Sequence, residues 1–239
     1  MKIEDLQVTL FCDSADLGQM ETMKARGLVQ GFTCNPSLVR KAGVADYLAF
    51  CRAAVALCRP LPLSLEVIAD SPSEIIRQAE LLSSLGDNVV VKIPIVTPEG
   101  LGNQTLIALL AKRRMALNIT ACFTGRHVRD AQEALLSSDS PAASYISIFA
   151  GRIADSGRCP EQLVSNAAWF VQGSQTKIIW ASVREPYNVV QANRCGCHVI
   201  TVFPSVLDRL DRFGRDLDEF ARETSEMFSR DASEAGYSL

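Results

Sequence analysis

The chain has 239 residues, 48% apolar and 21% charged, with 24 Lys and Arg against 27 Asp and Glu. It is long enough to bury one sizeable core, and its net charge of −3 offers no basic surface to a polyphosphate backbone, so a nucleic-acid partner is not expected. The start Met1-Lys2-Ile3-Glu4-Asp5 is polar, and no apolar run reaches the length of a membrane span, which predicts a cytoplasmic protein with no membrane partner.

Eight apolar, β-branched runs follow in order: Val8–Cys12, Leu28–Thr33, Pro62–Val67, Val89–Ile93, Ala116–Cys122, Ser144–Phe149, Lys177–Ala181 and His198–Phe203. Stretches of helical period separate them, the βα alternation of a parallel sheet. Between the third and fourth runs, Ser71-Pro72-Ser73-Glu74 predicts a capping box with Pro at the first helical position. Ile75, Ile76, Ala79 and Leu82 share one face of that helix, and Gly86 is expected to close it. After the last run, residues 215–230 carry Leu217, Phe220, Met227 and Phe228 on one stripe, which predicts a further helix covering its own barrel or a neighbouring subunit. The expected fold is α/β, a single (β/α)8 TIM barrel over residues 1–239 with an additional C-terminal helix at about 215–230.

Eight cysteines in a chain of this length, several inside apolar runs, read as reduced core thiols. Cys195-Gly196-Cys197-His198 resembles a metal-binding string but has no second ligand pair at a suitable spacing, so it reads as a turn entering a strand and no metal is expected.

Polar residues collect at the C-terminal ends of the runs, where barrel enzymes place their chemistry. In chain order they are Asp13, Thr33 with Asn35, Glu66, Lys92, Asn118 with Thr120, Ser147 before Phe149 and Arg152, and Ser182 before Arg184. Period-two alternation places Asn118, Thr120 and Cys122 on one face, and Trp180, Ser182 and Arg184 on another. Lys92 stands out between Val89-Val90-Val91 and Ile93-Pro94-Ile95. A lysine so placed either pairs with a carboxylate or is a Schiff-base amine whose ammonium desolvation pushes down. His127 and His198 lie away from the strand ends, so Asp13 and Glu66 are the candidate acid and base. Arg152 and Arg184 suit a terminal anion, with pairing to Asp155 and Glu185 as the alternative. Neither a P-loop nor GxGxxG is present.

Six ordered segments resemble the transaldolase family: Phe11-Cys12-Asp13-Ser14-Ala15-Asp16, Gly31-Phe32-Thr33-Cys34-Asn35-Pro36-Ser37, Val89-Val90-Val91-Lys92-Ile93-Pro94, Asn118-Ile119-Thr120, Ser147-Ile148-Phe149-Ala150-Gly151-Arg152-Ile153 and Ala181-Ser182-Val183-Arg184. The length resembles the short subfamily that includes fructose-6-phosphate aldolases, which implies a homo-oligomer, a decamer in many members. The resemblance makes Lys92 the Schiff-base lysine, Asp13 the acid/base at the C4 hydroxyl, and Glu66 with Thr120 the holders of the imine water. Asn35, Asn118 and Ser147 would then hold the dihydroxyacetone unit, and Arg152, Ser182 and Arg184 the anion of a sugar phosphate or sugar sulfonate. Thr33, Phe149 and Trp180 belong to the expected substrate pocket as well. The chemistry it implies needs no cofactor, because the protonated imine is the electron sink. Glu66 and Phe149 resemble the transferring branch, where the aldolase branch that releases free dihydroxyacetone has Gln and Tyr. Cys34, Ile148 and Trp180 depart from the family pattern. By parity Trp180 is expected to narrow the anion end, which favours a modified or sulfonated ketose.

Overall fold

The computed structural model describes residues 2–137, 142 and 144–237. Eight parallel strands close on one another in sequence order: β1 (Thr9–Asp13), β2 (Phe32–Thr33), β3 (Leu63–Glu66), β4 (Val89–Pro94), β5 (Leu117–Cys122), β6 (Ser144–Ile148), β7 (Thr176–Trp180) and β8 (Val199–Val202). β8 pairs back onto β1 through Thr9–Val199 to Cys12–Val202, so no edge is left open. The helices are α1 (Leu17–Ala25), α2 (Pro36–Lys41), α3 (Tyr47–Cys58), α4 (Pro72–Ser83), α5 (Gln104–Lys112), α6 (Gly125–Leu135), α7 (Ala150–Asp155), α8 (Glu161–Phe170), α9 (Tyr187–Arg194), α10 (Pro204–Leu207) and α11 (Leu217–Glu234). The protein is a (β/α)8 barrel with an additional C-terminal helix.

Alternation along the strands divides the core in two. Leu10, Cys12, Leu63, Leu65, Val91, Ile93, Ile119, Ile146, Ile178 and Ile200 face outwards beneath the helices. Phe11, Val90, Tyr145, Ile179 and Val199 fill the barrel's interior, with the Phe11 and Tyr145 rings tilted at 5.9 Å. This inner plug is dry, and the polar residues stand above it.

Several local expectations change. β2 is two residues rather than six: Gln30 and Gly31 still bond to Leu10 and Cys12 across the gap, but Leu28 and Val29 belong to the approach. Ser71 caps α4 by its extended backbone alone, because its hydroxyl makes no cap bond and Glu74 turns to Arg77. α4 ends at Ser83 with Ser84 as its cap, and Gly86 serves close packing instead. A β-carbon there would lie 2.7 Å from Val55 Cγ1. Cys195-Gly196-Cys197-His198 forms a turn into β8, with Gly196 at φ +66° and His198 Nδ1 accepting from the Ile178 N–H.

α11 runs Leu217–Glu234, and none of its residues is buried in this chain. Leu217 is 77% and Phe228 63% exposed, so the reading in which this helix covers its own barrel is set aside. Among the described residues, no helix is long and apolar enough to cross a membrane.

Candidate active site

Three charged side chains meet inside the barrel because alternation and register agree. Asp13, Glu66 and Lys92 each stand two residues above an inward-facing position of their strand. Pairing sets Glu66 beside Lys92 and Asp13 beside Thr33. Above them, at the C-terminal ends of the strands, opens a cavity of about 450 Å³. Asp13, Thr33, Asn35, Glu66, Lys92, Thr120, Ser147, Phe149, Arg152, Ser182 and Arg184 all line it. Of the residues singled out in the sequence, only Asn118 and Trp180 do not.

Lys92 is 6% exposed, and its Nζ lies 3.0 Å from Glu66 Oε2. The ion pair and the cavity therefore coexist, where the sequence had offered them as alternatives. Burial alone pushes the Lys92 ammonium down, but the Glu66 and Asp13 carboxylates outweigh it and the net shift is upward. That reverses the direction expected from desolvation alone, because two carboxylates favour the charged form of the amine. Asp13 is pushed up by burial, against the pull of Lys92 and of the Thr33 hydroxyl that donates to its Oδ1 at 2.7 Å. Proton exchange within this buried group costs little charge separation, since a proton leaving Lys92 finds a carboxylate 3.0 Å away.

Around this centre stand groups that present hydrogen-bonding atoms. Thr120 Oγ1 is buried and makes no hydrogen bond to another protein group, so its hydroxyl is available to a molecule in the cavity. Asn35 caps α2 through its Oδ1, which accepts from Leu38 N–H at 3.1 Å and leaves the amide N–H groups for the cavity. Asn118 is fully buried one layer down, donating to Ser64 Oγ at 3.0 Å and accepting from Ser147 Oγ at 2.7 Å. Its expected place against a ligand is corrected accordingly: it is a bracket that orients Ser147, whose lone pairs remain for the cavity. Behind the site, Tyr47 Oη donates to the Glu66 carbonyl at 2.7 Å and holds the end of β3.

Trp180 is the clearest correction. It is 1% exposed and packs in the outer layer between sheet and helices, while its neighbours Ile179 and Ala181 face inwards. Parity failed here because Ser182 takes φ +67°, which turns the chain and brings Ser182 to the cavity beside Ala181. Its ring therefore does not narrow the anion end of the cavity. Ala121, at φ +56° and beside a register irregularity, likewise breaks alternation and sends Cys122 outwards, away from the face of Thr120.

The far wall carries the cations. Arg152 lies over the Phe149 ring at 5.2 Å, and Phe149 meets Phe123 at 5.6 Å, so the guanidinium is stacked rather than paired. Arg184 Nη2 is 2.5 Å from Asp155 Oδ2 at the exposed rim, which holds the Asp155 carboxyl below its usual range. Gly151 makes this wall possible: a β-carbon on it would fall 1.6 Å from the Ser182 carbonyl oxygen. Ser37, Lys41, Thr201 and Phe203 also line the cavity and were missed in the sequence. Alternation along β8 would have found Thr201 and Phe203, and the i,i+4 spacing of Ser37 and Lys41 puts that pair on one face of α2.

Comparison with known proteins agrees with this geometry. The family profile described as Transaldolase/Fructose-6-phosphate aldolase matches residues 10–238. A protein named "Probable transaldolase" from Anaeromyxobacter sp. (strain Fw109-5) is 37% identical over 204 residues, covering 84% of this chain and 88% of its own. One of the same name from Dehalococcoides mccartyi is 34% identical over 200 residues, covering 83% and 88%. Among solved structures, orotidine 5'-monophosphate decarboxylase from Metallosphaera sedula superposes with a TM-score of 0.55 at 14% identity, covering 89% of this chain and 98% of its own. 2,3-Dimethylmalate lyase does so at 0.52 and 14%, covering 96% and 85%; at such identities the likeness is one of fold alone. The profile match over nearly the whole chain, together with relatives above 30% identity, means that this chain belongs to the transaldolase/fructose-6-phosphate aldolase family.

Proposed function

We propose that the protein is a transaldolase that carries a dihydroxyacetone unit from a ketose with a terminal phosphate or sulfonate to an aldehyde acceptor, through a Schiff base on Lys92. The observation that carries this reading is the Lys92 amine, buried beside Glu66 at 3.0 Å and facing a cavity that Asp13 also lines. On binding, the ketose carbonyl C2 meets Nζ as the ammonium proton passes to a neighbouring carboxylate. The amine adds to C2, and the resulting carbinolamine loses its oxygen as water, held between Glu66 and Thr120 Oγ1, whose buried oxygen has no other partner. Asp13 takes the proton of the C4 hydroxyl while the C3–C4 bond breaks. The bonding electrons flow into the iminium, giving an enamine on Lys92 and a free aldehyde. An acceptor aldehyde then enters, the steps reverse, and water releases the lengthened ketose.

Asp13 suits this part because burial makes it a stronger base than an ordinary aspartate. Asn35 and Ser147 hold the hydroxyls of the three-carbon unit, while Arg152, Ser182 and Arg184 receive the terminal anion. Phe149, engaged by Phe123 and Arg152, offers the enamine no hydroxyl, so the enamine waits for an aldehyde instead of being protonated and released. The same imine chemistry needs no cofactor. Eight free cysteines fit a reducing cytoplasm.

Borohydride added with a ketose phosphate should trap a mass adduct on Lys92, and Lys92→Ala should abolish it. Failure of the wild-type protein to label would overturn the reading. Donor turnover without an acceptor would identify a free aldolase instead. For partners, the exposed stripe Leu217, Phe220, Met227 and Phe228 on α11 supports a homo-oligomer. Light scattering should report an assembly that Phe228→Asp reduces in size, and a monomeric wild type would refute it.

A further inference from the structure

Two hydroxyls stand behind Asp13 in a row. Thr33 Oγ1 lies 2.7 Å from Asp13 Oδ1 and 2.5 Å from Thr201 Oγ1. Thr33 is 2% and Thr201 6% exposed, and both border the cavity. Each hydroxyl has one proton and two lone pairs. When Asp13 is ionised, Thr33 gives its proton to the carboxylate and can only accept from Thr201. The order is then Thr201 to Thr33 to Asp13. When Asp13 carries a proton, its own O–H donates to Thr33, which donates in turn to Thr201. The chain reverses by rotating hydroxyl protons, with no heavy atom displaced.

We propose that Thr201 is a positioning residue for Asp13, acting through Thr33: it completes a two-hydroxyl relay that holds the carboxyl in one orientation and serves it in both of its protonation states. This deepens the functional reading above and rests on Asp13 being the acid/base of the reaction. The strands explain why three residues from separate segments line up. Thr33 pairs with Asp13 across β1 and β2, and Thr201 pairs with Phe11 across β1 and β8, so β1 lies between the strands that carry the two hydroxyls, which meet on the inner side of the barrel. The interior residue one layer below Thr201 on β8 is Val199, and a valine fills the volume of a threonine without its hydroxyl.

The charged and titratable groups around Asp13 are Lys92 of β4, Glu66 of β3, and the thiols of Cys12 on β1 and Cys34 after β2. Thr201 meets Thr33 and hydrogen-bonds to none of these groups, so replacing it leaves their own partners in place. Without Thr201, Thr33 remains a donor to the ionised carboxylate but is no longer polarised by a donor of its own. The neutral form loses the acceptor of the Thr33 proton as well, but hydrogen bonds that end on a charge are stronger than those that end on a neutral carboxyl, so the ionised form of Asp13 loses more and its carboxyl moves up.

The test is the pH dependence of donor–acceptor exchange in the full-length protein, with fructose 6-phosphate as donor and erythrose 4-phosphate as acceptor. Thr201→Val should move the acid limb of the kcat/KM profile to higher pH and lower kcat by about 5-fold, the size of one ordinary hydrogen bond, with KM little changed. Thr201→Ser should restore the wild-type profile. In a cycle with Thr33→Val, the double variant should show the acid limb of Thr33→Val alone, because Thr201 reaches Asp13 only through Thr33. A Thr201→Val profile superimposable on wild type, or strictly additive shifts in the cycle, would overturn the proposal. If Thr201→Val does not fold, Thr201→Ala is read by the same profile against Thr201→Ser. Borohydride trapping separates the two failures. A wild type that gives no Lys92 adduct defeats the functional reading, whereas an adduct that forms with an unmoved profile defeats the relay alone.

Discussion

The floor and the rim of the cavity use charge in opposite ways. On the floor, Lys92, Glu66 and Asp13 are packed into the barrel above an apolar plug, where burial pushes the Asp13 carboxyl up and the two carboxylates outweigh burial to push the Lys92 ammonium up. At the rim, Arg184 and Asp155 pair with 44% and 53% of their side-chain surface open to solvent. Coulomb attraction is screened at the rim and barely screened on the floor, so removing the Lys92 charge should strand its carboxylates while removing a rim charge should be absorbed by water. Enzymes place reactive protons where water cannot exchange them and recognition groups where ligands arrive; this barrel separates the two by one layer of side chains.

The comparison can be broken most sharply at Lys92. Lys92→Ala should reduce aldehyde exchange to background and eliminate the borohydride adduct, and residual exchange above a tenth of wild type would show that the floor amine is not the reacting group. Next comes Asp13→Asn, expected to lower kcat by about 10²–10⁴-fold. It should also stabilise the fold. Burial raises the Asp13 carboxyl above its unfolded value, so the folded state is penalised increasingly as pH rises from about 4 and escapes the penalty below that. The gain in Tm, about 2–4 °C for each kcal/mol relieved, should therefore be present at neutral pH and vanish in thermal scans below about pH 4. A gain that persists there would assign it to another cause.

Gly151→Ala tests the link between the two levels. Its new methyl would displace the Ser182 carbonyl, with a cost in stability of about 1–3 kcal/mol by denaturant melts and a raised KM for anionic donors. An unchanged melt would mean that the β6 and β7 ends yield freely. Smallest of all, Arg184→Ala should raise KM for charged donors by about 5-fold, with kcat nearly unchanged and the effect fading with added salt. No change in KM would leave anion capture to Arg152.

Much of this centre was legible in the residue order. Asp13, Glu66, Lys92, Ser147 and the two arginines stand at or near the ends of apolar runs, and period two tells which residues of one strand share a face. The failures share a cause. Trp180 and Cys122 were assigned inwards by a parity that Ser182 and Ala121 interrupt with left-handed backbone, which no feature of the local sequence announces in residues other than glycine. Asn118 does lie inside, but which layer it occupies depends on the stagger between strands. Thr201 went unnoticed because threonine is an ordinary strand former, and its significance arises only from the hydroxyl that meets it from β2.

Sequence by itself determined the alternation of strands and helices, the placement of acids and a lysine at strand ends, and the family. The first two follow from periodicity and composition, which act along the chain, and the family from six ordered motifs that resemble it. Tertiary structure decided that Glu66 and Asp13 together push the Lys92 ammonium up, that Trp180 belongs to the outer core, that no residue of α11 is buried in this chain, and that two threonines stand behind Asp13. Such outcomes depend on distances between residues far apart in the chain, where closing the barrel sets which charges share a low-dielectric space and which hydroxyls come within reach.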